Sequence, residues 1–193
     1  MLGLKLATDP RWVNIAEKNI DEILIDHAYC EQKAASSCIS LIVQYPEREK
    51  LIEMLMPVVT EEWGHFRMVL KEMKKRNIKL GRQRKDEYVI ELQKLERKGG
   101  HPDRQLMDKL LINALIEARS CERFRLLSLH IADEELKNFY HELMISEANH
   151  YVNFVKLAKE YAPAEEVDAR LEEMLEAESQ IMQMMAMRGD RMH

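Results

Sequence analysis

Glu61-Glu62-Trp63-Gly64-His65-Phe66 lies in a run where Leu51, Leu55, Val58, Val59, Phe66, Val69 and Met73 recur at helical spacing. In Glu62-x-x-His65 the carboxylate and the imidazole are three residues apart. On a helix both therefore lie on one face and can reach one ion. The arrangement returns at Glu147-Ala148-Asn149-His150. With 34 acidic residues and 7 His in the chain, a lone Glu-x-x-His arises by chance, so the information lies in where the two fall. Each falls about midway along the second helix of a predicted hairpin.

The hairpins follow from caps and breaks on either side. Asp9 reads as an N-cap and Pro10 as a first helical residue. Apolar spacing then continues through Ile20, Leu24, His27, Ala34, Cys38 and Ile42, predicting one helix from Pro10 to about Tyr45. Pro46 opens a second helix, in which Pro57 should produce a kink or remove one backbone bond. The pattern lapses around Asn77–Gly81, and a shorter helix is predicted over Asp86–Lys98. Gly99-Gly100-His101-Pro102 is the clearest break. Asp103 should cap a third long helix ending near Ile131, and Asp133 a fourth ending near Tyr161. Pro163 should open a last helix ending near Gly189. Short loops imply antiparallel neighbours. The prediction is an all-α four-helix bundle of two hairpins, with a long crossover and an extra C-terminal helix.

Composition agrees. A chain of 193 residues, 46% hydrophobic and 33% charged, fits one domain over residues 1–193 and excludes disorder. Only 6 Gly and 5 Pro leave too few turn residues for a sandwich or barrel. Cys30, Cys38 and Cys121 are an odd count without Cys-x-x-Cys spacing, which argues against a disulfide framework or zinc ribbon. Cys30 and Cys121 read as buried small hydrophobes. No apolar run approaches membrane-spanning length and no leader is evident, so a reducing cytoplasm is the expected location.

Two hairpins carrying Glu-x-x-His on their second helices call for one Glu on each first helix at matching height. Glu31 lies 14 residues before Tyr45 and Glu62 lies 17 after it, a mismatch of roughly 4–5 Å. On the third helix Glu117 and Glu122 both qualify. Glu62 to Glu147 spans 85 residues and Glu31 to Glu117 spans 86, and Glu117 shares the stripe of Leu110, Ala114 and Cys121. In favour of Glu122, Ile25-Asp-His-Ala-Tyr-Cys-Glu31 resembles Ile116-Glu-Ala-Arg-Ser-Cys-Glu122. The preferred set is Glu31, Glu62, His65, Glu117, Glu147 and His150, with Glu122 as the alternate. Inward charges of this kind need a cation to compensate them. Four carboxylates with two imidazoles suit iron or manganese better than zinc. His27, one turn before Glu31, reads either as a hydrogen-bond partner of that carboxylate or as an unrelated core histidine.

Four segments together resemble one family: Asp26-His-Ala-Tyr-Cys-Glu-Gln-Lys-Ala-Ala-Ser36, Glu61–Phe66, Ile116-Glu-Ala-Arg-Ser-Cys-Glu-Arg-Phe124 and Ser146-Glu-Ala-Asn-His-Tyr151. They are similar to the tRNA 2-methylthio-N6-isopentenyladenosine hydroxylases, ferritin-like di-iron monooxygenases. The resemblance runs from Leu6 to about Ala162. It implies a pair of iron ions held by the six residues above, with no catalytic side chain beyond these ligands. It also implies O2-dependent hydroxylation of the isopentenyl group beside the tRNA anticodon. Electrons would come from an external donor, a reductase or ferredoxin-like protein, since no flavin or nicotinamide fingerprint is present.

Charge distribution bears on the partner. The net charge of −5 does not announce a nucleic-acid binder. Yet Arg67, Lys71, Lys74, Lys75, Arg76, Lys79, Arg82, Arg84 and Lys85 face only Glu72 in the same stretch, the footprint expected of phosphate contact. Arg119, Arg123 and Arg125 could assist or could pair with Glu. The acids from Glu160 to Glu178 read as a solvated face. Two other readings compete: a ferritin-like iron-storage or oxidant-scavenging protein, and a metal-free helical RNA-binding module.

Overall fold

The computed structural model describes residues 1–185 and 187–193. Among them are seven helices and no strand: α1 Arg11–Lys18, α2 Ile20–Gln44, α3 Glu49–Lys75, α4 Glu87–Gln93, α5 Pro102–His130, α6 Glu134–Tyr161 and α7 Ala164–Met184. They fall into two compact units. One comprises Arg11–Lys85 with Arg188–Met192, the other Met1–Pro10, Asp86–Met187 and His193.

In the first unit the helix expected from Pro10 to Tyr45 is broken at Asn19. The Asn19 side-chain amide donates to the Ile15 carbonyl at 2.8 Å, taking the acceptor that its own N–H would use in a continuous helix. That N–H goes to Ala16 O at 2.9 Å instead. The second expected boundary also moves. Pro46 and Glu47 make a turn closed by Arg48 N–H on Tyr45 O at 3.1 Å, and α3 begins only at Glu49. Pro57 lies on the exposed side of α3, which runs through it; the missing N–H leaves the Glu53 carbonyl one donor short. α2 and α3 pack as an antiparallel hairpin over Leu24, Ala28, Leu41, Leu51, Leu55 and Val58, all buried. Each large aliphatic side chain so removed from water contributes about 1.5–3 kcal/mol.

In the second unit Asp86 caps α4, accepting from Val89 N–H at 3.2 Å. The helix stops at Gln93, short of the expected Lys98, and passes into turns. Gly99 and Gly100 take φ of +83° and +88°, a left-handed conformation that other residues adopt at a cost. They end this segment as the sequence indicates. The cap of α5 is His101, not Asp103: its Nδ1 accepts from Asp103 N–H at 3.3 Å, with Pro102 opening the helix. Asp103 falls inside the first turn, where its charge favours the helix dipole. Asp133 caps α6 as expected, accepting from Glu135 and Leu136 N–H, both at 3.0 Å. α7 ends at Met184, before the predicted Gly189. α5 and α6 form the second antiparallel hairpin, with Leu110, Leu111, Ala114, Leu115, Tyr140 and Leu143 buried.

Candidate metal centre

Each hairpin gathers one trio of potential ligands. On α2 and α3, Glu31, Glu62 and His65 each bring a ligand atom within 4.8 Å of the others. Glu31 and Glu62 are buried, and His65 is half-buried. His27, one turn before Glu31 on α2, places Nε2 2.6 Å from Glu31 Oε1. Since a carboxylate only accepts, that nitrogen carries the proton and donates. His65 Nδ1 lies 3.5 Å from the other Glu31 oxygen. Burial alone would raise the Glu31 carboxyl. Hydrogen bonding and charge from His27 and then His65 outweigh it and hold the group well below the usual carboxylate range.

On α5 and α6, Glu117, Glu147 and His150 likewise lie within 4.8 Å of one another, and all three are buried. Cys121, one turn beyond Glu117, is a thiol rather than a thiolate. Burial, then the nearby Glu117 charge, pushes it up to about 12, and its Sγ–H donates to Met144 O at 3.3 Å. The two α5 acids part company here. Glu117 groups with Glu147 and His150. Glu122 turns away and accepts from Thr8 N–H at 3.0 Å, from the Thr8 hydroxyl at 2.7 Å and from Arg119.

Arg119 is one of several residues whose role was not evident in the sequence. It is fully buried, and besides Glu122 it donates to Glu178 Oε1 from Nη2 at 2.7 Å and from Nε at 3.0 Å, and to Leu6 O at 3.0 Å. Tyr88 adds its hydroxyl to the same Glu178 oxygen at 3.1 Å. Arg119 is therefore a brace for α5 and is not presented to an RNA. Glu178 belongs to the stretch expected to be solvated, yet it is fully buried. The Arg119–Glu122 spacing was readable as a helical pair; nothing in the sequence marked Glu178 as the inward acid among its neighbours.

The basic stretch is also sorted. Arg67, Lys71, Lys74, Lys79, Arg82 and Lys85 are exposed. Lys75 and Arg76 both bind Glu72 at 2.6 Å. Arg84 binds Glu22 at 2.7 Å and Asp190 at 3.3 Å. Three of the nine cations thus hold the fold of their own unit. Of the remaining cysteines, Cys38 is buried while Cys30 is half-buried, against the expectation of a buried side chain, and neither is in a disulfide. Among the described residues no helix is long and apolar enough to cross a membrane.

Two buried glutamates and one imidazole per trio hold more negative charge than they can neutralise among themselves. Such an arrangement is costly unless a cation compensates it. Oxygen-rich donors with one nitrogen fit iron or manganese, and fit zinc less well. The residues present therefore fit a metal of that class.

Comparison with known proteins extends these observations. The family model described as tRNA-(MS[2]IO[6]A)-hydroxylase (MiaE) matches residues 2–193. A Pseudomonas putida protein named tRNA 2-(methylsulfanyl)-N(6)-isopentenyladenosine(37) hydroxylase is 40% identical over 91% of this chain and 84% of its own length. A Salmonella typhimurium protein of the same name is 29% identical over 92% of this chain and 83% of its own. Among solved structures, a Synechococcus protein described as having aldehyde deformylating oxygenase activity superposes with a TM-score of 0.92. It is 36% identical and the match covers 98% of this chain and 94% of that one. The fold class is the ferritin-like all-α one, and the chain belongs to the MiaE family of tRNA hydroxylases.

Proposed function

We propose that this chain is a non-haem di-iron monooxygenase that hydroxylates the isopentenyl group of 2-methylthio-N6-isopentenyladenosine in tRNA, next to the anticodon. The observation that carries the reading is the paired trios, Glu31, Glu62, His65 and Glu117, Glu147, His150, in a member of this family. These six residues would hold two iron ions. Iron so held supplies the redox chemistry by which O2 attacks an unactivated C–H bond. The balance is one oxygen atom to the substrate carbon and one to water, with two protons and two electrons consumed. Those electrons come from an external reductase or ferredoxin-like donor.

The chain's own residues do the rest. His27 donates to Glu31 and so fixes the orientation of a charged carboxylate, while burial of the glutamates excludes bulk water. The Arg119–Glu178 pair fixes the helix that presents Glu117. Arg67, Lys71, Lys74, Lys75, Arg76, Lys79, Arg82, Arg84 and Lys85 form the tRNA-facing stretch, with Arg67, Lys71, Lys74, Lys79, Arg82 and Lys85 contacting phosphate and Lys75, Arg76 and Arg84, through their ion pairs, shaping the surface. A tRNA substrate sets the location as cytoplasmic.

Incubating iron-loaded protein with isopentenylated tRNA, O2 and a reductant should add one oxygen to the modified adenosine, read by nucleoside mass analysis. No mass gain with the iron loaded would overturn the reading. A second reading, oxygen-dependent deformylation of an aldehyde, draws support from the similarity to the Synechococcus protein. Turnover of aldehyde but not tRNA in the same assay would favour it.

A further inference from the structure

The exposed stripe of α3 changes character along its length. Glu53, Met56 and Thr60 lead to Trp63, after which Arg67, Lys71 and Lys74 follow on the same side at i+4, i+8 and i+11. Trp63 is 48% exposed, whereas the chain's other tryptophan, Trp12, is 1% exposed. Its ring is supported from one side by Phe66, with centroids 5.0 Å apart and planes at 41°.

Gly64 gives a second, independent observation. Glycine inside a helix costs about 1 kcal/mol relative to alanine. A Cβ added at Gly64 would meet nothing within 4 Å, and its φ is not in the positive range. Neither backbone conformation nor packing within the chain calls for glycine there. What the missing side chain leaves there is backbone open to close approach from outside the chain.

From these features we infer that Trp63 and the open surface at Gly64 form the platform on which an unpaired base of the tRNA anticodon loop stacks, with Arg67, Lys71 and Lys74 taking the adjoining phosphates. This rests on the tRNA reading above and names the residues that seat the substrate. Single-stranded loops are recognised by stacking splayed bases on aromatic side chains, with cations tracking the backbone. From Trp63 to Lys74 the helix rises roughly 16 Å, the length of several stacked nucleotides at about 3.4 Å each. An indole followed by a row of positive charge matches a base followed by its phosphates.

Trp12 is buried, so fluorescence accessible to acrylamide reports Trp63. Adding an anticodon stem-loop RNA should protect it. Trp63→Ala should weaken RNA binding by about 5- to 150-fold, and Trp63→Phe should stay near the parent. Gly64→Ala should raise the melting temperature yet weaken RNA binding, a pairing that a purely structural role does not produce. Lys71→Ala should reduce the slope of log affinity against log salt by about 0.7. Iron content, measured on each variant, separates these effects from damage to neighbouring Glu62 and His65. If Trp63→Ala perturbs the iron, Gly64→Ala and the quenching experiment decide. RNA that binds while Trp63 stays quenchable, undiminished RNA binding by the platform variants, or protection by an acidic ferredoxin instead of RNA would each overturn the platform. If wild-type protein then still hydroxylates tRNA, only the platform fails; if iron-loaded wild type leaves tRNA unoxidised, the underlying reading fails.

Discussion

The α2–α3 and α5–α6 hairpins carry the same chemical inventory, one Glu on the first helix and Glu-x-x-His on the second, but they hold it differently. On the first hairpin, support is immediate: His27 touches Glu31 itself at 2.6 Å. On the second, support acts through the helix. Arg119, two residues beyond Glu117, locks α5 to Glu178 of α7 and to Leu6. One trio is tuned by a hydrogen bond to one of its carboxylates, the other by fixing the rod that bears it. Mutations should therefore separate metal affinity from fold stability according to which hairpin they strike.

The largest effect tests whether the trios are equivalent in function. His65→Ala and His150→Ala should each lower hydroxylation at least about 100-fold and reduce the iron bound per chain, measured by elemental analysis. Retained activity in either variant would break the equivalence. Next comes the brace. Glu178→Gln removes one of the two carboxylates that neutralise buried Arg119, leaving Glu122, and should cost about 1.5–3 kcal/mol in denaturant unfolding. The exposed Glu22–Arg84 pair of the first unit supplies the contrast, since Glu22→Gln should cost no more than about 1 kcal/mol.

His27→Ala should weaken iron binding by about 10- to 100-fold, a loss read by chelator competition and absent from the Glu178 variant's folded fraction. The smallest effect is in acid. Asp108 is buried, which raises its carboxyl, but hydrogen bonds from Arg97 and Arg170 outweigh burial and hold it below its ordinary value. Asp190 is held low chiefly by Arg188. A group depressed in the folded state contributes stability that is present above its unfolded value and is lost as pH falls through the folded one. Stability should therefore decline below about pH 4. Asp108→Asn should remove more of that decline than Asp190→Asn, and should itself cost about 1–3 kcal/mol at neutral pH.

Much of this was legible in the chain because long helices announce themselves by period, and Asp133 and Gly99-Gly100 punctuate them with side-chain chemistry that acts locally. The trios were legible because one-face spacing and equal hairpin offsets are arithmetic on the sequence. The misses share a cause. Asn19 bonds the Ile15 carbonyl at the end of a helix, while Asn113 makes the same bond to Lys109 O at 2.8 Å inside an uninterrupted α5, so residue type alone does not mark the break. His101 caps α5 with a ring nitrogen, where the neighbouring Asp103 looked the better acceptor. Glu178 is one acid in an acidic segment, and only the three-dimensional meeting with Arg119 and Tyr88 selects it. Local signals are written in local sequence; partners far apart along the chain are not.

The contact between Thr8 and Glu122 has a consequence for how the molecule is made. Its two ends are 114 residues apart, and the cluster they join is complete only when Glu178 has been synthesised. The α2–α3 hairpin is joined by a short turn, so its two helices can meet while the chain is still growing, and Arg188–Met192 complete its unit last, where Met192 N–H donates to Asp26 at 2.8 Å. The N-terminal segment must instead wait, unpaired, through the synthesis of everything that separates it from α5. Closing so long a loop is entropically slow. Docking of the N-terminal segment onto α5 through Thr8 and Glu122 should therefore be the late event in biogenesis, after each hairpin has closed across its own turn.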